Sequence, residues 1–333
     1  MVNISFIDLF AGIGGFHFAL KGQDCLYASE IDLNTQKAYS LNFPKTPLFG
    51  DITKDEVQAL IPNKFDILCG GFPCQAFSIA GYQKGFDDTR GTLFFEIAKI
   101  VKTHRPKVIF LENVKNLKNH DKGNTFSVIL NTLQDLGYFV FHEILNSATH
   151  ANIPQNRERI FIVAFHKKQV KKYQKFAFPQ PVKLTKTIHD CLESIKQDDC
   201  FYYTPKSQYY DWLKESVVKR DTIYQLRRIY VRENKSNLCP TLTANMGTGG
   251  HNVPIIKDDF GIRKLTPREC FNFQGYPQSL INLNSYEDIY KDRGGHILLS
   301  INPYVMHLMI QRCAILCRKP PQSSVSFLCL RRN

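Results

Sequence analysis

Long apolar runs are missing from this sequence of 333 residues: no stretch approaches the ~18 residues that a membrane span needs. The ten cysteines form no Cys-x-x-Cys pair. Cys313 and Cys317 lie four apart with no second pair to complete a zinc site, so no metal is expected. The start carries no basic leader, and Asp8 interrupts the first apolar run, which argues against a secretory signal. A cytoplasmic protein with mostly free thiols is the expectation. Acids are scarce: 43 Lys and Arg face 30 Asp and Glu, for a formal charge of +13. No acidic residue occurs between 303 and 333. Such a surplus favours a polyanionic partner.

The hydrophobic content of 43% supports a substantial core. The length suits two domains, or one large α/β domain with an insertion. Apolar runs at 4–10, 25–30, 66–70, 108–111, 138–145 and 159–165 read as strands. Residues 16–21 and 90–104 read as helices, the second with Leu93, Phe94, Ile97, Ile100 and Val101 at helical spacing. Strands alternating with helices predict a doubly wound, mostly parallel, Rossmann-like α/β sheet covered on both faces. A lysine cluster at 167–175, followed by Pro179 and Pro181, marks a boundary. The expected division is 1–180, a smaller β-rich domain at 181–261, and a return to the large domain from 262.

Chemistry concentrates in a few segments. Gly70-Gly-Phe-Pro-Cys-Gln-Ala-Phe-Ser78 follows a short apolar run, and Pro73 biases Phe72 toward an extended backbone that presents Cys74. In an open α/β sheet, ligands bind outside the carboxyl ends of the strands. Asp8-Leu-Phe-Ala-Gly-Ile-Gly-Gly-Phe16 puts glycines after the first strand, where a cofactor approaches backbone. Glu30 ends the second strand, where a Rossmann-type acid takes ribose hydroxyls. Asp51 could hold an adenine amino group or serve as a turn or helix cap. Glu112 follows the run 108–111.

Together these segments resemble the cytosine-5 DNA methyltransferase family. The matching motifs are the 8–16 loop, Gly71-Phe-Pro-Cys-Gln-Ala-Phe-Ser78, Glu112-Asn-Val114, Gln155-Asn-Arg-Glu-Arg159, and Arg263-Lys-Leu-Thr-Pro-Arg-Glu-Cys270 leading to Gly275-Tyr-Pro277. They occur in family order. The resemblance implies methyl transfer from S-adenosylmethionine to carbon-5 of a cytosine flipped out of duplex DNA, with Cys74 adding transiently to carbon-6. It implies that Glu112 contacts ring nitrogen 3 and the exocyclic amine, beside Arg157 and Arg159. It implies a cofactor site at Phe10, Gly12, Ile13, Gly15, Glu30, Asp51, Ile52, Pro73 and Leu93. The stretch 75–90, with Gln75, Ser78 and Arg90 toward DNA, resembles the family's mobile loop.

The basic, aromatic segment 227–236 and the glycine-rich 239–254 resemble the family's target-recognition region. Arginine reads guanine and asparagine reads adenine, so Arg227, Arg228, Arg232, Thr241 and Asn245 are the expected DNA contacts. Sites of the GG…CC type are implied. A restriction–modification role, a cognate endonuclease acting independently, a monomeric state and no membrane association complete the expectation. One departure stands out. After Tyr290-Lys291 the family's Gln-x-Gly-Asn-Ser-Val segment is missing, and the abrupt change points to a shifted reading frame from about residue 292. An incomplete cofactor pocket would follow. The alternatives are therefore an inactive DNA-binding remnant or an RNA cytosine-5 methyltransferase on the same scaffold.

Overall fold

The computed structural model describes residues 3–73, 93–227, 229–243 and 253–280. The larger sheet is built from β1 (Ser5–Leu9), β2 (Asp24–Ser29), β3 (Leu48–Phe49), β4 (Ile67–Gly70), β5 (Val108–Val114), β6 (Tyr138–Asn146) and β7 (Glu158–His166). Its order is β3-β2-β1-β4-β5-β7-β6. The pairs β1–β2, β2–β3, β1–β4 and β4–β5 are parallel, while β7 runs antiparallel between β5 and β6. The sheet is thus mostly parallel and doubly wound, as the alternating pattern predicts.

The central strands are largely apolar because both their faces are covered, with Asp8 in β1 and Glu112 and Asn113 in β5 as the marked exceptions. Period two sorts their residues: Ile7, Leu9, Leu68, Ile109 and Leu111 enter one core, whereas Phe6, Ile67, Cys69, Val108 and Phe110 enter the other. Helices α1 (Gly15–Ala19), α2 (Leu33–Asn42), α3 (Asp55–Gln58), α4 (Leu93–His104), α5 (Asn124–Asp135) and α6 (Ser147–His150) connect these strands. Ile97, Ile100 and Val101 of α4, with Ile129 and Leu133 of α5, fill the first core. Phe16 and Ala19 of α1 help close the second, together with Val170, Phe176 and Phe178 from the lysine-rich stretch after β7.

The smaller sheet contains β8 (Tyr224–Leu226), β9 (Val231–Glu233), β10 (Val253–Lys257) and β11 (Ile262–Lys264), in the order β11-β10-β8-β9, with every pair antiparallel. It extends slightly past residue 261, because β11 belongs to it. Helix α7 (Tyr210–Ser216) adds Leu213 to its core. The return is made by α8 (Pro267–Gln274), which starts at a capping box of Thr266 and Glu269 and stops at Gly275 with φ 80°. Phe271, Tyr276 and Leu280 then pack with Ile13 and Ala38 beneath the glycine turn after β1. The C-terminal part of the described chain therefore supports the loop that the first strand presents.

Candidate active site

The strand order reverses between β1 and β4, and ligands of open α/β sheets bind outside the carboxyl ends at such a switch point. A cavity of about 400 Å³ lies there. Its lining comes from the segments leaving β1 (Phe10, Gly12), β2 (Glu30), β3 (Asp51, Ile52), β4 (Phe72, Pro73) and β5, together with the start of β7. Leu93, at the start of α4, completes it. Phe10 and Gly12 take positive φ values of 55° and 56°. These fold the turn so that the Gly12 N–H points back, donating to Glu30 Oε2 at 3.0 Å. The other oxygen, Oε1, accepts from the Asp32 amide at 2.9 Å. Glu30 is thereby fixed at the rim, with lone pairs left on both oxygens.

Seven of the nine expected cofactor residues line this cavity: Phe10, Gly12, Glu30, Asp51, Ile52, Pro73 and Leu93. Ile13 and Gly15 stand behind it, Ile13 fully buried against α2 and α8 and Gly15 opening α1. Asp51 also forms the turn that the sequence left open: its Oδ1 accepts from the Thr53 amide at 2.9 Å and from its hydroxyl at 2.8 Å. Those bonds hold its carboxyl below the usual range.

One edge of the cavity is formed by the β5–β7 pair. Glu112 lies opposite Phe161, and Arg159 opposite Val114, in an antiparallel register. Glu112 and Arg159 are therefore diagonal neighbours on one face, and Arg159 Nε lies 3.0 Å from Glu112 Oε1. That contact is an ion pair whose N–H is not aimed at the oxygen, so Oε1 has no hydrogen-bond donor among the described residues. Burial raises the Glu112 pKa, while Arg159 and then Arg157 oppose the rise. Burial, then repulsion from Arg159, lowers the Arg157 pKa to about 10. Arg157 Nη1 donates to the Leu242 carbonyl at 3.2 Å. A buried carboxyl with a raised pKa, facing a cavity beside two guanidiniums, is suited to hydrogen-bond a ring that gains charge.

Cys74 lies outside the described residues, as do Gln75, Ser78, Arg90, Arg228 and Asn245. The chain reaches the cavity at Pro73, the residue before Cys74. Asn113, which the sequence reading did not single out, anchors that approach. Its Nδ2 donates to the Phe72 carbonyl at 2.7 Å, and its Oδ1 accepts from the Val114 amide at 2.8 Å. Its position between Glu112 and Val114 was the available signal. Asp8, an acid inside an apolar strand, is fully buried, with its pKa raised by burial and then by Glu30.

The expected DNA contacts fall in two places. The Arg227 amide closes the β8–β9 turn on the Tyr230 carbonyl at 2.8 Å, and Arg232 sits exposed in β9. Thr241 instead stitches the small sheet's side to the segment leading into β7, its hydroxyl donating to the Asn156 carbonyl at 2.6 Å. Cys239 continues the seam through amide and carbonyl bonds of 2.7 and 2.9 Å to Pro154 and Asn156.

The sequence pattern of the C-5 cytosine-specific DNA methylases matches residues 4–301. Type II methyltransferase M.Bsp6I of Bacillus sp. (strain RFL6) is 49% identical over 301 residues, covering 88% of this chain and 94% of that protein. Type II methyltransferase M.HpaII of Haemophilus parainfluenzae is 43% identical over 312 residues, covering 89% and 86%. M.HhaI of Haemophilus parahaemolyticus is 39% identical over 322 residues, covering 92% and 94%. Among solved structures, the S. pombe Dnmt2 methyltransferase superposes with a TM-score of 0.66 at 20% identity, over 94% of this chain and 98% of that one. At that identity the likeness concerns the fold.

Proposed function

This chain belongs to the C-5 cytosine-specific DNA methylase family, and we propose that the cavity edge formed by Pro73, Glu112, Arg157 and Arg159 is where it activates its target base. The enzyme transfers a methyl group to carbon-5 of cytosine in DNA, using S-adenosylmethionine. The observation that carries the site assignment is the convergence of the glycine turn, Glu30, Asp51 and the Glu112–Arg159 pair on one cavity of about 400 Å³.

The residues fit the cofactor. Positive φ at Phe10 and Gly12 opens backbone to close approach, Glu30 offers lone pairs suited to ribose hydroxyls, and Asp51 offers a carboxylate suited to an amine. When bound, S-adenosylmethionine supplies an electrophilic methyl group. The protein's part is to make carbon-5 nucleophilic. Cys74, as thiolate, adds to carbon-6 of the flipped base and pushes the electrons of the C5=C6 bond onto carbon-5. Once carbon-5 carries the methyl group, loss of its proton to a base breaks the sulfur–carbon bond, restores the ring and frees the thiolate. Glu112 holds ring nitrogen 3 by a hydrogen bond that strengthens as that nitrogen becomes basic. Arg159 and Arg157 fix the Glu112 carboxyl and keep the local potential positive, which favours the thiolate. The small sheet, joined to this edge through Cys239, Thr241 and Leu242, presents Arg227 and Arg232 as the groups that read or grip duplex DNA. A restriction–modification role, with an endonuclease acting separately on the same sequence, follows from the Type II relatives. We further read the protein as a cytoplasmic monomer.

Incubation with methyl-labelled S-adenosylmethionine and plasmid DNA, followed by bisulfite mapping, tests this. Label is expected at one short sequence motif, with none for Cys74→Ser. Label on adenine or cytosine amino groups, on RNA alone, or undiminished in Cys74→Ser would overturn the reading.

A further inference from the structure

The basic surplus is not spread evenly. Segments 102–107 and 167–175 carry eight Lys and Arg residues and no carboxylate. Far apart in sequence, they meet in space. The His166 amide donates to the Lys107 carbonyl at 3.0 Å, the Lys167 amide to the Gly137 carbonyl at 3.2 Å, and Gln169 Nε2 to the Arg105 carbonyl at 2.8 Å. Burial lowers the His166 pKa, and Arg105 and then Lys168 lower it further, as expected where cations crowd together. Lys107 is neutralised by Asp66 at 2.5 Å. Exposed Lys167, Lys168, Lys171, Lys172 and Lys175 form no ion pair among the described residues.

This strip is held in place. The Val170 amide bonds the His166 carbonyl at 3.0 Å, and Val170, Phe176 and Phe178 are buried in the second core, so the lysines are displayed from a fixed backbone. Its position is the informative feature. Lys107 precedes β5 and the strip follows the end of β7, whereas the Glu112–Arg159 pair sits at the opposite ends of those strands. Along a strand of nine residues, at about 3.4 Å each, the two ends lie roughly 27 Å apart. Duplex DNA has a persistence length of about 150 bp, so a short duplex in the catalytic cleft cannot bend round to the far end.

We propose that this face binds the phosphate backbone of a second segment of duplex DNA, independently of sequence, while the cleft holds the first. Like-charged side chains gathered without counter-charges repel one another, and phosphates relieve that repulsion while releasing condensed counterions. On long DNA, a second segment is present at high effective concentration once the cleft is engaged. The proposal rests on the cleft taking duplex DNA, and methylation of a short duplex checks that separately.

The test measures anisotropy of a labelled, random-sequence short duplex added to full-length protein already saturated with an unlabelled short duplex bearing the mapped target. Three proteins are compared: wild type, Lys168→Gln/Lys171→Gln/Lys172→Gln, and a control of equal charge loss, Lys21→Gln/Lys37→Gln/Lys45→Gln. The first triple variant is expected to bind the second duplex at least about tenfold more weakly. Its slope of log affinity against log salt should flatten by about 0.9 for each phosphate that the variant no longer neutralises. Its methylation of the short target duplex should stay within about twofold of wild type. Retained second-duplex binding, equal loss in the control, or a matching loss of short-duplex methylation would each overturn the assignment.

Discussion

Two arginine–glutamate pairs, one fully buried and one partly buried, occupy two regions of this protein and are built in opposite ways. At the junction of the small sheet with α8, Arg263 meets Glu269 through two parallel bonds of 2.7 Å. Glu269 also accepts from the amides of Glu193 and Thr266, at 2.9 and 2.8 Å. Both of its oxygens are saturated, and both side chains are fully buried. At the β5–β7 edge of the cavity, Glu112 has one ion pair of 3.0 Å, an oxygen without a hydrogen-bond donor among the described residues, and a raised pKa. The first arrangement fixes a domain junction. The second leaves hydrogen-bonding capacity for a ligand, and under-satisfied, pKa-shifted groups in clefts are candidates for chemistry.

The comparison breaks if the two glutamates respond alike to the same change. Glu112→Gln is expected to lower the single-turnover methylation rate on the order of 10²–10⁴-fold, with DNA affinity and melting temperature nearly unchanged. It also removes a pH limb. The protonated fraction of Glu112 falls as pH rises through its raised pKa, so the wild-type rate should decline there and the variant's should not. The linkage has the same sign. Folded Glu112 holds its proton more tightly than the unfolded chain, so its contribution to stability is present below the unfolded value and lost as pH rises through the folded one. Denaturant melts at about pH 5 and about pH 8 should therefore favour wild type over Glu112→Gln more at the lower pH.

Glu269→Gln should do the reverse, leaving Arg263 under-compensated and costing about 3–5 kcal/mol of stability. The rate per folded molecule at low temperature should stay near wild type. A large rate loss without destabilisation would erase the distinction. Gly14→Ala sharpens the picture at the cofactor turn. Gly14 has φ +87°, and an added Cβ would lie 2.2 Å from the Phe43 ring, so a loss of about 1–3 kcal/mol is expected from overpacking. Thermal melts and calorimetric titration with S-adenosylmethionine read this; an unchanged melt would show that the turn does not require glycine. The smallest effect belongs to Thr241→Val, which removes one seam hydrogen bond worth about 0.5–1.5 kcal/mol. Weaker DNA binding with no change in stability would instead make Thr241 a DNA contact, as the sequence suggested.

The large sheet was legible because its central strands are buried on both faces, which writes them as largely apolar runs such as 4–10, broken only by Ser5 and Asp8, and 108–111. Helix α2 was not legible. Its apolar residues form no single stripe, with Ala38 and Tyr39 buried but Leu33 and Leu41 exposed. The small sheet was read only as β-rich, since strands of three residues such as β9 show too few alternations to locate. Within the site, the glycine turn, Glu30, Asp51 and Glu112 were readable from their positions after strand ends, whereas Phe10, Ile52, Pro73 and Leu93 were expected only from the family resemblance. Asn113 was not readable, because its role is to bond the Phe72 carbonyl across the sheet. Thr241 shows a further limit: the same hydroxyl serves a seam or a phosphate, and only placement decides. The changed segment after Lys291 lies outside the described residues.

The proposed mechanism requires Cys74 to bond covalently to a cytosine held at the Glu112 edge. A duplex carrying 5-fluorocytosine at the mapped target, incubated with the protein and S-adenosylmethionine and then denatured, tests it most directly. A denaturation-resistant protein–DNA adduct is predicted for wild type and none for Cys74→Ser. A wild-type preparation that binds this duplex yet leaves no adduct would contradict the account.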